Sequence, residues 1–169
     1  MPSIDAFLAE LDYECGTTRR LLERVPEERL DFRPHPRSMS LGRLAGHLAE
    51  LPGWAAVGLE RDEVPMAIEG GGGTLFEPTG HGELLAHFDA GIASLREKVQ
   101  GIGDGQLREP LRLMRGERIF VELPRRVMLR SVLLNHLIHH RGQLSVYLRL
   151  LDVPVPSIYG PSADEERPG

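Results

Sequence analysis

Apolar residues recur along most of the chain at steps of three and four, the spacing that places side chains on one face of an α-helix. Four segments show this pattern. The first runs from Ile4 to Val25, the second from Leu41 to Glu60, and the third follows Thr79 and ends near Val99. The fourth and longest covers Arg125 to Leu151. The pattern therefore predicts four helices.

Prolines and small polar residues set the limits of these helices. Pro26 is expected to end the first helix, because the residue before a proline is pushed out of the helical conformation. Ser40 and Thr79 can cap the second and third helices. Pro52 predicts a kink or break inside the second helix. Residues 61–78 contain four consecutive glycines, which predict a flexible surface connection.

One segment before the fourth helix has the alternation of a β-strand instead. Its apolar positions alternate on both sides of an Arg-Gly pair, and they are Leu111, Leu113, Ile119, Val121 and Leu123. This pattern predicts a small β-hairpin. The end of the chain, from Gly160 to Gly169, has the composition of a poorly ordered tail, while Tyr159 can pin the preceding stretch across the helices.

Four apolar helices in a chain of 169 residues predict an all-α fold, a four-helix bundle, as one domain over residues 1–169. The fourth helix carries a second stripe beside its core stripe: Met128, Val132, Asn135, His139, Val146 and Leu150. A helix that is apolar over so wide an arc has more than one packing partner. We therefore expect a homodimer.

Charge and composition exclude several classes of protein. The formal net charge is -5, and acidic and basic residues are interleaved, which excludes the basic face of a nucleic-acid-binding protein. The sign is also wrong for an anionic membrane surface, and no apolar stretch approaches the roughly 20 residues that cross a bilayer. The N-terminus lacks the features of a signal peptide. These observations predict a cytoplasmic protein.

Three histidines carry the functional prediction. His136 and His140 are one helical turn apart and share the core stripe of the fourth helix, and His47 lies on the core stripe of the second. A buried imidazole costs free energy unless its nitrogens find partners, and one cation can serve all three rings. We therefore predict a divalent metal site on His47, His136 and His140. Neutral imidazoles suit zinc, nickel, copper or iron. Three protein ligands leave a coordination position open, as in catalytic zinc sites.

Other interpretations of the same residues stay open at this point. A single core histidine more often donates to a backbone carbonyl than binds a metal. His139 could replace His140 as a ligand, although the stripe of leucines favours His140. Gln143 and Arg141 could orient the ligands, but a solvated or ion-paired role is more typical of Arg141.

The remaining candidates are interpreted as structural. Three histidines are interpreted as incidental: His35, His81 and His87. Three carboxylates are interpreted as helix-surface charges: Glu50, Glu83 and Asp89. The single cysteine, Cys15, lies on a core stripe, which indicates a buried apolar side chain rather than a nucleophile. No carboxylate is clearly placed to act as a general base.

Two segments resemble a known family. The sequence NHLIHHRGQLSVYLRLLDVPVPSIYGPSADE is similar to the C-terminal signature of the DinB superfamily of YfiT-like metalloenzymes, and SLGRLAGHLAEL is similar to its second-helix motif. The resemblance covers essentially the whole chain. It implies a four-helix bundle with up-down-down-up connectivity, usually dimeric. It also implies a nickel or zinc site on His47, His136 and His140. Some members are S-transferases or isomerases that use low-molecular-weight thiols such as bacillithiol or mycothiol.

The leading hypothesis is therefore a metal-dependent enzyme, a transferase that activates a small thiol for attack on a small-molecule electrophile. A hydrolase that uses metal-bound water is the nearest variant. A metal-binding stress-response protein without catalysis is a second class. A dimeric helical interaction module without metal is a third.

Overall fold

The computed structural model describes residues 4–66 and 75–165. The helices are α1 (Ile4–Leu22), α2 (Leu41–Glu60), α3 (His81–Gly101), α4 (Asp104–Arg108), α5 (Arg125–Val127) and α6 (Asn135–Leu150). A 3-10 turn covers Glu27–Arg29, and a π-helical segment, Met128–Leu134, joins α5 to α6. The strands are β1 (Glu63–Pro65), β2 (Pro110–Arg115) and β3 (Arg118–Pro124). Within the described ranges, none of the helices has the length and apolarity needed to cross a membrane.

The four predicted segments are all helical, and three of them have changed limits. α1 ends at Leu22 rather than Val25, because the backbone already forms tighter turns there, with the Val25 amide donating to the Leu22 carbonyl. α2 has the predicted bounds and continues through Pro52 without a break. α3 begins at His81, so Thr79 is not its cap; the Thr79 amide and hydroxyl instead donate to the Glu83 carboxylate.

The core lies between the four long helices. α2 packs most extensively against α3 and also contacts α6, while α1 contacts both α3 and α6. Leucines from all four helices are completely buried, among them Leu11, Leu44, Leu95 and Leu144. The molecule is mostly helical, as the periodicity predicted. The up-down-down-up four-helix bundle stays a prediction.

α2 and α3 approach each other closely where two glycines meet. A Cβ atom added to Gly91 would lie 2.8 Å from the backbone nitrogen of Gly53 and 3.4 Å from the Cβ of Pro52. Real Cβ atoms do not come so near to a backbone nitrogen, so only glycine fits at Gly91. Since α2 carries His47, this contact fixes one side of the candidate site.

A three-stranded sheet of order β1-β2-β3 accompanies the helices, so the all-α prediction with one small hairpin included too little β-structure. The predicted hairpin is confirmed, since β2 and β3 pair antiparallel. β1 was not predicted, because it lies within residues 61–78, which were expected to form a flexible connection. It pairs parallel to β2. Its central residue, Val64, is buried. The four glycines at 70–73 lie outside the described residues.

A buried arginine joins this sheet to the helices. The Arg125 guanidinium, 3% exposed, donates to the carbonyls of Arg61 and Pro110 and lies 2.6 Å from Asp62 Oδ1. It therefore ties the end of α2 to the beginning of β2. Because β2 supplies a wall of the cavity described below, this contact also positions the site.

A second buried arginine fastens the C-terminal stretch. Arg141 is completely buried and pairs with Glu14 at 2.7 Å, and the Tyr159 hydroxyl donates to Glu14 at 2.9 Å. The prediction that Tyr159 pins this stretch is confirmed. The expected poorly ordered tail does not begin at Gly160, because Asp164 accepts a hydrogen bond from the Val155 amide. Residues 166–169 lie outside the described part of the chain.

We predict that Gly91→Ala destabilises the protein, because its methyl group meets the α2 backbone and forces the two helices apart. The expected loss is about 1–3 kcal/mol in the free energy of unfolding, measured by urea denaturation followed by circular dichroism. Gly82→Ala in the same helix is the control. A Cβ at Gly82 meets nothing within 4 Å, so that variant is expected to be neutral or up to about 1 kcal/mol more stable. Equal midpoints for Gly91→Ala and wild type would contradict the packing argument.

Candidate metal centre

The structure brings three histidines together between α2 and α6. His47 Nε2 lies 3.2 Å from His136 Nε2, which lies 2.7 Å from His140 Nε2. The ligand atoms of the three residues all fall within 4.8 Å of one another, and this group could hold a metal ion. His136 and His140 reach the same point because one turn of α6 separates them.

In His47 and His140, the second ring nitrogen, Nδ1, faces a hydrogen-bond acceptor. His47 Nδ1 lies 2.7 Å from Glu50 Oε1, and His140 Nδ1 lies 2.6 Å from Gln143 Oε1. A neutral imidazole whose Nδ1 donates carries its lone pair on Nε2. The Nε2 atoms of His47 and His140 therefore direct lone pairs toward the point where His136 Nε2 also lies. Lone pairs that face each other repel unless a proton or a cation lies between them.

The geometry fits a divalent cation. Tetrahedral coordination with metal–nitrogen distances of about 2.0–2.1 Å places neighbouring ligand nitrogens about 3.3 Å apart. The 3.2 Å separation between His47 and His136 is close to that value, and the 2.7 Å separation is shorter. Three nitrogen donors that converge from two helices could therefore hold a metal ion.

The imidazoles of His136 and His140 are uncharged at neutral pH. Burial, reinforced by the neighbouring His47, lowers the pKa of both to about 4. A hydrogen bond to the Val132 backbone opposes the shift at His136, and the Gln143 contact opposes it at His140. Because a metal ion binds only the neutral ring, His136 and His140 need no deprotonation step at neutral pH.

Glu50 belongs to the site, and its interpretation as a surface charge was wrong. One carboxylate oxygen accepts from His47 at 2.7 Å and from Arg43 at 2.8 Å, and the other accepts from the Phe76 amide at 3.0 Å. Burial alone would raise the pKa of Glu50, but these three hydrogen bonds lower it below its usual value. The carboxylate therefore stays ionised and orients the His47 ring.

The chain that precedes α3 lies against α2 directly beside this carboxylate. A Cβ at Gly46 would lie 2.2 Å from the Phe76 carbonyl oxygen, so only glycine allows the two backbones to approach so closely. Arg43 donates to the same carbonyl at 3.3 Å. The Phe76 ring stacks on His87 with centroids 4.0 Å apart. His87 therefore packs against Phe76, whose backbone amide donates to Glu50.

The structure also shows where the other residues considered for the metal site lie. His139, the alternative to His140, is exposed and does not belong to the three-histidine group. Gln143 contacts His140, as the orienting interpretation expected. Arg141 is ion-paired with Glu14, which matches the ion-paired interpretation. Burial, with Asp12 and Glu14, raises the pKa of the Cys15 thiol to about 12, which fits an apolar interpretation.

The remaining residues lie away from the three histidines. His35 is exposed, and the His81 ring contacts the Leu22 carbonyl at 3.2 Å. Asp89 is a surface charge that pairs with Arg19, as expected. Glu83 accepts hydrogen bonds from Thr79 at the beginning of α3.

A small cavity opens beside the histidines. Its volume is about 90 Å³. The residues that line it are His47, Glu50, Leu51, Trp54, Met66, Leu113, Val132 and His136. They come from α2, the end of β1, β2, the π-helical segment and α6, so the sheet and the helices meet here. A ligand in this cavity would lie against two of the three imidazoles.

Sequence reasoning missed the part that Glu50 plays, although a signal was present. Glu50 follows His47 by three residues, a spacing that places both side chains on one side of a helix. A carboxylate next to a ligating histidine is a common arrangement in metal sites. Phe76 carried no comparable signal, because its contact with Glu50 joins residues 26 positions apart.

Comparison with known proteins gives consistent matches over almost the whole chain. A model described as the DinB family matches residues 1–168. The Bacillus subtilis (strain 168) protein YrdA is 27% identical over 165 residues, which cover 96% of this chain and 92% of YrdA.

Two solved structures are similar in fold. A DinB-like protein from Bacillus cereus ATCC 10987 has a TM-score of 0.71 at 24% identity, over 92% of this chain and 97% of that one. The DinB-like protein YjoA from Bacillus subtilis has a TM-score of 0.65 at 17% identity, over 87% and 92% of the two chains. Both similarities extend over most of the two chains compared.

We predict that Glu50→Gln weakens metal binding by about 10- to 100-fold, because ligand-orienting partners typically have effects of this size. The glutamine side chain has the same shape as glutamate, but only one of its two terminal atoms can accept hydrogen bonds. It therefore cannot accept all three of the bonds that the Glu50 carboxylate accepts. Competition with a chromophoric chelator measures the affinity for zinc and nickel. The matched control is Glu83→Gln, which removes a carboxylate at the beginning of α3 and should leave the affinity unchanged. Equal affinities for Glu50→Gln and wild type would show that Glu50 does not orient His47.

Proposed function

Because this chain belongs to the DinB family and its three histidines converge on one point, we propose that it is a metal-dependent enzyme that holds one nickel or zinc ion on His47, His136 and His140. The observation that carries the proposal is the meeting of three Nε2 atoms at 2.7 and 3.2 Å. Two of the rings are held by partners at their other nitrogen, so the donors are oriented before any ion arrives.

The reaction that fits this site best is the transfer of a low-molecular-weight thiol to a small electrophile. A divalent ion on three neutral imidazoles keeps a coordination position open and lowers the pKa of a thiol bound there. In the reaction, a bond forms between sulfur and an electrophilic carbon, the leaving group departs with the bonding electron pair, and the thiol proton passes to solvent. Glu50 and Gln143 hold His47 and His140 in place, and apolar side chains form much of the cavity wall beside them.

A hydrolase is less well supported by the same residues. Among the described residues that line the cavity, Glu50 is the carboxylate, and its oxygens already accept from His47, Arg43 and Phe76. These hydrogen bonds lower the pKa of Glu50, which makes it a weak base. Thiol transfer needs no protein base once the thiol is ionised.

Two non-catalytic functions give different results in the same experiments. A metal-binding stress-response protein would lose thermal stability when the ion is removed, but would have no activity to lose. A helical interaction module would bind no metal, and His136→Leu would be neutral or stabilising because it replaces a polar ring among leucines.

The first experiment measures metal content by mass spectrometry, on protein purified without a histidine tag. We expect near-stoichiometric nickel or zinc in the wild type and a loss of at least about 90% in the His136→Ala, His140→Ala double variant. His139→Ala is the matched control, since it removes an adjacent but exposed histidine, and it should keep its metal. No metal in the wild type, even after incubation with excess nickel and zinc, would exclude the metalloenzyme.

The second experiment tests the reaction on the metal-loaded protein. Cysteine, bacillithiol and mycothiol are each offered with 1-chloro-2,4-dinitrobenzene, whose substitution by sulfur releases chloride and gives an absorbing thioether. At least one thiol should react faster with wild type than with the double variant, and His139→Ala should behave like wild type. If the loaded protein accelerates none of these reactions and binds none of the thiols, the transferase proposal is wrong while the metal site stands.

We also propose that the protein is a cytoplasmic homodimer of four-helix bundles, with contact through the outward face of α6. Val146 and Leu150 on this face are both 56% exposed. They belong to the second stripe that predicted an additional packing partner. Two exposed branched apolar side chains one turn apart are typical of a helix that packs against another copy.

We predict that Leu150→Arg converts the dimer to a monomer, because a charge at the centre of an apolar contact stays unpaired when the two copies meet. Light scattering coupled to gel filtration measures the mass. Phe120→Arg, which replaces an exposed apolar residue on β3, is the control and should leave the dimer intact. A dimer that persists in Leu150→Arg and disappears in Phe120→Arg would place the interface on the sheet instead.

A further inference from the structure

The wall of the cavity beside the histidines has two chemically different parts. His47, His136 and Glu50 form the polar part, in which His47 contacts the other two. The rest of the wall is apolar and is formed by Leu51, Trp54, Met66, Leu113 and Val132. A molecule that reaches the histidines through this cavity must therefore bury part of itself against hydrocarbon and an indole ring. That requirement limits what the substrate can be.

No charge in the described wall is free to bind a charged substrate. Among the described residues, no lysine or arginine lines the cavity, and Glu50 is engaged on both oxygens. A carboxylate, phosphate or ammonium group placed there would lose its hydration without gaining a partner, which is unfavourable by several kcal/mol. An uncharged apolar group would instead gain from burial.

We propose that this cavity selects a small, uncharged, apolar group, and that in the proposed thiol transfer this group belongs to the electrophile. The inference rests on the proposed function. The wall of this cavity is too apolar for the body of a cellular thiol, which carries amino, carboxyl and hydroxyl groups. Only the sulfur end of the thiol reaches the histidines, and its polar body stays outside.

Three thiols of equal length test the selectivity of the cavity, with sulfur serving only as an anchor on the metal. They are 1-propanethiol, with an apolar arm, 3-mercaptopropionate, with an anionic arm, and cysteamine, with a cationic arm. Each is titrated into the cobalt-loaded full-length protein, where sulfur binding changes the visible absorption. Trp54, the single tryptophan of the chain, lines the cavity and reports by its fluorescence whether the arm enters.

We expect 1-propanethiol to bind at least about tenfold more tightly than either charged thiol, and to be the one that changes the Trp54 emission. Lengthening its chain should tighten binding about fourfold per methylene until the cavity is full. Equal affinities for the three thiols, or tighter binding of a charged one, would overturn the inference.

Two variants locate the effect in the cavity. Val132→Phe should fill it and weaken 1-propanethiol at least tenfold, whereas Val146→Phe, on the exposed face of α6, should not. Met66→Lys places a cation in the wall and should move the preference toward 3-mercaptopropionate, which a misfolded protein would not show. Unchanged selectivity in both Val132→Phe and Met66→Lys would place the apolar group elsewhere.

The experiment separates this inference from the function on which it rests. If cobalt does not bind, the metal site and the proposed function fail together, and the absorption shows this before any thiol is added. If cobalt and thiols bind but charge makes no difference, only the inference about the cavity fails. A preference for the apolar arm that Val132→Phe removes supports both.

Discussion

An imidazole buried between helices is unfavourable unless both of its nitrogens have partners, and the arrangement of this protein's site follows from that constraint. Glu50 and Gln143 satisfy the outer nitrogens of His47 and His140. The inner nitrogens are left facing one another. The donors are thus fixed by hydrogen bonds within the same helix, at a spacing of three residues in each case, and the helices need only be brought to the right distance.

Contacts outside the site hold α2, which carries His47, against other parts of the fold. The meeting of Gly53 with Gly91 holds α2 against α3, and the buried Arg125 joins the end of α2 to the sheet. At Gly46 the absence of a side chain lets the Phe76 backbone reach Glu50. Three glycines, an arginine and a carboxylate, none of them a candidate ligand, therefore help to position the helix that carries His47.

Much of this organisation could be predicted from the sequence, and the remainder has physical reasons. Helix periodicity identified the long helices and placed His47, His136 and His140 on core stripes, because burial repeats at the helical spacing. The strand Glu63–Pro65 was missed because three residues are too few to show alternation. The π-helical segment was missed because Met128–Leu134 has apolar residues that suit an α-helix equally well.

Contacts between residues far apart in the chain were the least predictable. Arg141 and Glu14 form a buried pair across 127 positions, and nothing in the local sequence of either residue specifies the other. The Glu50–Phe76 contact is of the same kind. A helix pattern shows which face is buried but not which polar side chains meet there.

The sheet has a consequence for how copies of the protein meet. Its edge strands, β1 and β3, both have backbone groups on one side that pair with no strand of the described sheet. β1 is only three residues long and ends in Pro65, and β3 is bulged at Phe120, where Leu113 pairs with Val121 but Met114 pairs with Ile119. Short, proline-ended and bulged edges resist the addition of a further strand. Ile119 and Phe120 can therefore stay exposed without starting a β-ribbon that grows from one molecule to the next.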